Sequence, residues 1–267
     1  MSILEHLEEL RSRLLKIIVA AALGFAACYW KAEDIYGYIM QPLVDTLPEG
    51  THLIYTGVTE GFFTYLKVGL LAGVFLVSPY IMYQIWAFIS PGLYKKERTI
   101  LIPVAIISAV LFVGGACFGY FVVFPWGFKF LIGNYASEVI KPLPSIKEYL
   151  SLAAKLLIAF GVVFEMPLAT LVLARLGLVN HRMMLKYSRY ALLGIFVVGA
   201  MLTPPDVVTQ LMMAGPLIIL YGVSILVAYF FGKKPAEIEE DDDEDETPPE
   251  KPDPDGKEKT ETTKTDE

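Results

Sequence analysis

Apolar stretches of roughly membrane-spanning length follow one another through residues 14–231, and this leaves few folds open to the chain. A hydrocarbon layer of roughly 30 Å needs about 20 residues of helix. Leu14–Trp30, extended by Lys16 as a snorkelling residue, Phe62–Phe88, Ile100–Phe124, Leu152–Leu173 and Val207–Phe231 satisfy that requirement. Tyr190–Leu202 is shorter, 13 residues with a rise of roughly 20 Å, and is read as a fifth, short span that thins the bilayer or shelters among neighbours. A run of that length also fits a buried or re-entrant segment. A hydrophobic share of 55% against 19% charged residues excludes an ordinary soluble domain. The expectation is an all-α integral membrane protein with six transmembrane helices.

Charge placement orients such a bundle. With six spans, one side carries Arg11, Arg13, Lys16, Lys95, Lys96, Arg98, Arg175, Arg182, Lys186, Arg189, Lys233 and Lys234; the other carries half as many basic residues near its helix ends. The positive-inside rule then puts both termini in the cytoplasm. Met1–Arg13 is polar and helical in pattern, and no small-residue cleavage site follows the first apolar run, so that run is read as a retained span rather than an export signal.

Composition changes sharply near residue 234. Residues 1–234 hold 18 Lys/Arg and 13 Asp/Glu, whereas residues 235–267 hold 4 and 16. The tail lacks any apolar period and cannot bury enough surface to offset its ordering entropy. It is expected to be a disordered acidic cytoplasmic extension of the membrane domain 1–234, with a solubilising or repulsive role.

Both large outer connections carry apolar content. In the first, Ile35, Tyr36, Ile39, Met40, Leu43 and Val44 recur at helical spacing and predict a short amphipathic helix. The second outer connection, Pro125–Leu150, repeats that logic with Trp126, Phe128, Phe130 and Leu131 before the Lys141–Pro144 break and is expected to cap the bundle, with Ser145–Glu148 forming a capping box for the next helix. Pro79, Pro103, Pro167 and Pro216 lie in or at the start of spans and favour a kinked, concave bundle.

Against this background the charged residues stand out. Glu165 lies inside the fourth apolar stretch, where a carboxylate is costly unless it has a function or a partner. In His6–Leu14, Leu7, Leu10 and Leu14 form one stripe, and Glu5–Glu9 and Glu9–Arg13 are spaced i,i+4; an ordinary juxtamembrane helix has the same pattern. Glu97 sits among Lys95, Lys96 and Arg98. If Glu9 and Glu97 converge, two carboxylates beside apolar surface form a receptor for guanidinium groups, whose planar fork lysine lacks.

Cys28 and Cys117 are read as packing residues. His6, His52 and His181 fall in separate segments, so no metal, cofactor or catalytic constellation is indicated.

Taken in order, His6–Leu14, Pro42-Leu43, Tyr83–Ile89 with Pro91, Leu93-Tyr94 and Glu97, Tyr120–Pro125, Phe160-Gly161 with Phe164-Glu165 and Pro167, and Thr203–Asp206 resemble the TatC family. This family is the multispan subunit of the twin-arginine protein translocase. The resemblance covers about residues 3–232 and excludes the tail. It implies a receptor, not an enzyme, in the cytoplasmic (inner) membrane, binding twin-arginine signal peptides of folded cargo and working with single-span TatA- and TatB-type subunits under the proton-motive force.

Residue by residue, it implies a signal-peptide site at Glu9 and Glu97 with Arg11 and Phe88 beside them, an intramembrane partner contact at Glu165, and functional loop positions at Pro42 and Asp206. Self-association stays open, and nothing points to nucleic acid. A small-solute transporter would show several polar residues at mid-membrane depth, where the spans offer little beyond Glu165. A structural scaffold differs from the receptor by not binding peptide.

Overall fold

The computed structural model describes residues 3–48, 51, 53–89, 101–135, 143–203 and 206–232. The chain divides into Met1–Lys233 and Lys234–Glu267. The acidic tail, from residue 235 on, lies outside the described residues.

Helix α1 (Ile3–Tyr29) joins the polar N-terminal segment and the first apolar stretch without a break. Helix α2 (Ala32–Val44) is the short amphipathic element that the spacing predicts, with Ile39, Met40 and Leu43 buried. Pro42 lies in its last turn, and the Thr46 hydroxyl closes that end by donating to the carbonyls of Leu43 at 2.8 Å and Pro42 at 3.3 Å.

The expected span Phe62–Phe88 is two helices, α3 (Glu60–Leu76) and α4 (Ser78–Ile89), bent by 60° at Val77. Pro79 is the second residue of α4. There it needs no backbone donor and cannot continue the preceding helix, so the chain restarts in a new direction.

Helix α5 (Leu101–Phe118) runs through a π-helical turn, Gly119–Val123, into α6 (Phe124–Tyr135). The helical outer segment is as the spacing predicts, but the span does not end at Phe124: the helix carries on past Pro125. The widened turn absorbs the missing proline donor, and Trp126, Phe128, Phe130 and Leu131 ride on a helix.

Helices α7 (Ile146–Phe164) and α8 (Met166–Arg175) meet at Glu165, where Met166-Pro167 starts the new helix. They are followed by α9 (His181–Lys186), α10 (Ser188–Leu202) and α11 (Val207–Phe231). Among the described residues there is no strand, only an isolated parallel bridge between Ile54 and Ser145.

Among the described residues, four helical stretches are long and apolar enough to cross a membrane: Leu4–Tyr29, Leu101–Gly133, Ile146–Arg175 and Val207–Phe231. The bent α3–α4 pair makes a fifth when counted as one, and α10 is a shorter apolar helix.

Small residues let these helices approach closely, as expected where lipid supplies no hydrophobic drive between them. A Cβ on Gly73 would stand 2.6 Å from the backbone carbon of Gly24, so α1 and α3 touch through their backbones. Gly161 of α7 packs in the same way under Phe112 of α5, where a Cβ would meet the ring at 2.7 Å.

The main core gathers Leu43 of α2, Val68 of α3, Phe124 and Phe128 of α6, Leu150 and Phe160 of α7 and Leu217 of α11. It is weighted toward the end of the bundle that carries α2. A second cluster, Met82 and Trp86 of α4, Ala105, Ala109 and Phe112 of α5 and Leu168 of α8, surrounds Ser108 and lies toward the N-terminal end.

Candidate functional site

At the N-terminal end, α1 and α4 bring together residues 71 or more positions apart. Arg13 donates from Nε and Nη2 to the same oxygen of Glu9, Oε1, at 2.9 and 2.6 Å, and from Nη1 to Gln84 Oε1 at 3.1 Å. One turn earlier, His6 stacks on Phe88 with ring centroids 4.5 Å apart. Phe88 and Glu9 therefore border the same α1–α4 seam, an acid beside an aromatic surface.

The guanidinium fork spends two donors on a single carboxylate oxygen, and Gln84 takes a third. Glu9 Oε2 is buried and has no hydrogen-bond partner among the described residues. The side chain of Glu9 is 23% exposed, so this acid is fixed at the protein boundary. A carboxylate held this way offers a second oxygen to another charged donor, and charge-assisted bonds of this kind are the strong ones.

Arg11 does not join the cluster. It is exposed, on another face of α1, because residues two apart on a helix do not face each other. Arg13, spaced i,i+4 from Glu9, occupies the place beside the acid. Glu97 lies outside the described residues.

In the apolar middle, Trp86 Nε1 donates to Ser108 Oγ at 2.9 Å, and Ser108 Oγ donates to Glu165 Oε2 at 2.5 Å. Glu165 is presented at the break between α7 and α8, and its second oxygen, Oε1, is buried with no partner among the described residues. Ser108 and Trp86 are themselves buried. The acid is thus half satisfied by protein, with one oxygen left for a further donor.

Pro42 is buried in α2 against the main core. That helix is tied to the bundle by Tyr149 Oη donating to Ile39 O at 2.7 Å and by Tyr120 Oη donating to Tyr38 O. Asp206 caps α11: its Oδ2 accepts from Thr209 N at 2.9 Å, satisfying one of the first-turn donors.

The sequence did not point to Glu60, although an acid immediately before an apolar run was the available signal. Glu60 Oε2 accepts from Thr56 N at 2.7 Å, Thr56 Oγ1 at 2.8 Å and Gly57 N at 3.1 Å, and Oε1 accepts from Lys147 N at 2.8 Å and Ser145 Oγ at 3.2 Å. The Ser145–Glu148 capping box does not form. The Ser145 hydroxyl turns to Glu60, and a carboxylate from a distant helix takes the Lys147 amide. Ser108 and Gln84 were likewise missed as partners, whereas the i,i+4 spacing had already paired Arg13 with Glu9. Gln84 stands inside the Tyr83–Ile89 motif, and Ser108 is a lone hydroxyl within an apolar stretch.

Both cysteines are free, and among the described residues no group of three or more His, Cys, Asp or Glu side chains is placed to hold a metal ion.

Residues 5–216 match the family model described as Sec-independent protein translocase protein (TatC). A relative of that name from Desulforapulum autotrophicum is 49% identical over 237 residues, covering 89% of this chain and 87% of the relative. One from Escherichia coli K12 is 41% identical, covering 89% and 92%. Two crystal structures described as twin arginine translocase receptor TatC, one of them in DDM, superpose with TM-scores of 0.76 and 0.77 at 38% identity, covering 84% of this chain and 97% and 99% of theirs. These relatives bear the name of a translocase component and not of an enzyme. On matches of this extent, the chain is a membrane-embedded helical protein that belongs to the TatC family.

Proposed function

We propose that this chain is the twin-arginine signal-peptide receptor and core subunit of a translocase that exports folded proteins across the cytoplasmic membrane under the proton-motive force. Family membership supports the receptor role, since solved relatives carry that description. The observation that carries it to particular atoms is the Glu9 carboxylate, clamped through Oε1 by Arg13 and retaining Oε2 beside the His6–Phe88 stack.

In this reading the bent α3–α4 pair counts as one span and α10 as another, giving six. The excess of Lys and Arg then sets the N-terminal end in the cytoplasm. The arginines of the signal engage Glu9 and Glu97, its apolar region lies along the bundle, and Phe88 contributes aromatic surface. Glu165 Oε1 meets a donor from the signal or from a single-span TatA- or TatB-type partner. Pro42 and Asp206 hold the connections at the opposite end. Arg11, exposed on another face of α1, orients the bound peptide from outside the acid cluster.

Equilibrium binding of a twin-arginine peptide to the purified chain tests this, with Glu9→Gln, Glu97→Gln and the double variant compared. Loss of a charge-assisted hydrogen bond is worth about 1.5–3 kcal/mol, so each single variant is expected to weaken binding about 10- to 100-fold. Unchanged binding in the double variant removes the assignment and favours a scaffold.

A further inference from the structure

A cavity with two lysines in its wall lies at the α2 end, away from Glu9 and Glu165 and beside Glu60. Lys67 stands seven residues beyond Glu60 on α3, about 10 Å along the helix axis, and its Nζ donates to Ser151 Oγ on α7 at 3.4 Å. Lys147 sits in the first turn of α7. The two lysines line a cavity of about 390 Å³ whose wall also carries Thr56, Thr59 and Phe63.

Neither ammonium has a carboxylate within 4.0 Å among the described residues, where the ion pairs are Glu9–Arg13 and Lys31–Asp34. Glu60 shares the wall, but five donors already engage its two oxygens. The lining therefore presents two ammonium groups against one saturated carboxylate.

A lysine within a spanning helix either reaches for the interface or meets an anion. Phe62, Phe63 and Leu70 around Lys67 are exposed, so this face of α3 is turned to lipid. From this juxtaposition we infer that the cavity holds the phosphate of an anionic phospholipid. The Lys67 and Lys147 ammoniums take the phosphate oxygens, the Thr56 and Thr59 hydroxyls face the polar headgroup, and an acyl chain lies over Phe63. A soluble phosphate shares the anion chemistry, yet it would leave the apolar wall of Phe63 and Leu150 without a role.

Native mass spectrometry of the full chain in detergent, supplied in turn with phosphatidylglycerol, phosphatidylcholine and phosphatidylglycerol plus inorganic phosphate, tests the inference. At about 1 kcal/mol for each basic residue near an anionic headgroup, phosphatidylglycerol is expected to be retained about 10- to 30-fold better than phosphatidylcholine. Lys67→Gln with Lys147→Gln is expected to abolish that preference, Lys67→Arg with Lys147→Arg to keep it, and Lys31→Gln, away from the cavity, to leave it unchanged. A preference that survives the double glutamine variant, or equal retention of the two lipids by the native chain, overturns the inference. Displacement of phosphatidylglycerol by millimolar inorganic phosphate overturns it as well and assigns the cavity to a soluble anion.

Discussion

Ser108 of α5 donates to Glu165 at the α7–α8 break, 57 residues away, while accepting from Trp86 of α4, so one buried hydroxyl joins three segments of the bundle. Ser108→Ala leaves both an indole N–H and a carboxylate oxygen without their partner, at about 1–3 kcal/mol for each unsatisfied group. Thermal unfolding in detergent is expected to show a lowered midpoint. A double-mutant cycle with Glu165→Leu is expected to give a coupling of about 0.5–3 kcal/mol. Strict additivity would show that the two side chains do not depend on each other.

Gln84 accepts from Arg13 Nη1, and the other two bonds of that guanidinium go to Glu9 Oε1, none to Oε2. With Gln84→Ala, Arg13 is free to fold across Oε2 and compete with an incoming guanidinium. The expected outcome is weaker binding of a twin-arginine peptide together with a stability loss of about 1.5–3 kcal/mol, the scale for a hydrogen bond between a buried amide and a charged group. An unaltered binding isotherm would mean that Gln84 does not steer the arginine.

Gly73 and Gly24 set the distance between α1 and α3. Gly73→Val is expected to cost about 1–3 kcal/mol through overpacking, read as a lower unfolding midpoint. Gly114→Ala is the matched control, since nothing lies within 4 Å of a Cβ built there. Equal midpoints for the two variants would contradict the close packing of these helices.

Asp206 is placed to separate a structural role from a charge-based one. Asp206→Ala removes the cap of α11 and is expected to cost about 0.5–2 kcal/mol, while Asp206→Asn keeps an acceptor and is expected to retain the midpoint. Transport by the asparagine variant then reports on the charge alone. A midpoint for Asn as low as that for Ala would indicate that the carboxylate, not the cap geometry, stabilises this turn.

Elements with strong local patterning were readable before any coordinates. The bounds of α11 coincide with the apolar stretch Val207–Phe231, and α2 follows from the spacing of Ile39, Met40 and Leu43, because burial on one helical face leaves a period in the chain. What the pattern cannot carry is contact between distant segments. Ser145 and Glu148 have the spacing of a capping box, yet Glu60, 85 residues earlier than Ser145, supplies the competing acceptor. Pro125 suggests a helix end, and only the π-turn before it allows α5 to continue into α6. At the N-terminal end the Glu9–Arg13 pair was legible from its i,i+4 spacing, whereas the meeting of Arg13 with Gln84 and of His6 with Phe88 depends on how α4 packs on α1. The second acid of the receptor reading, Glu97, falls outside the described residues.

The five donors converging on Glu60 give the two interhelical connections a shared anchor: the turn before α3 and the start of α7 hang on a single side chain. Mechanical independence between these connections is therefore lost. A protease cut or a tag inserted at Thr56-Gly57 would propagate to the first turn of α7 through that anchor, and mutational sensitivity on one side of it would mirror sensitivity on the other.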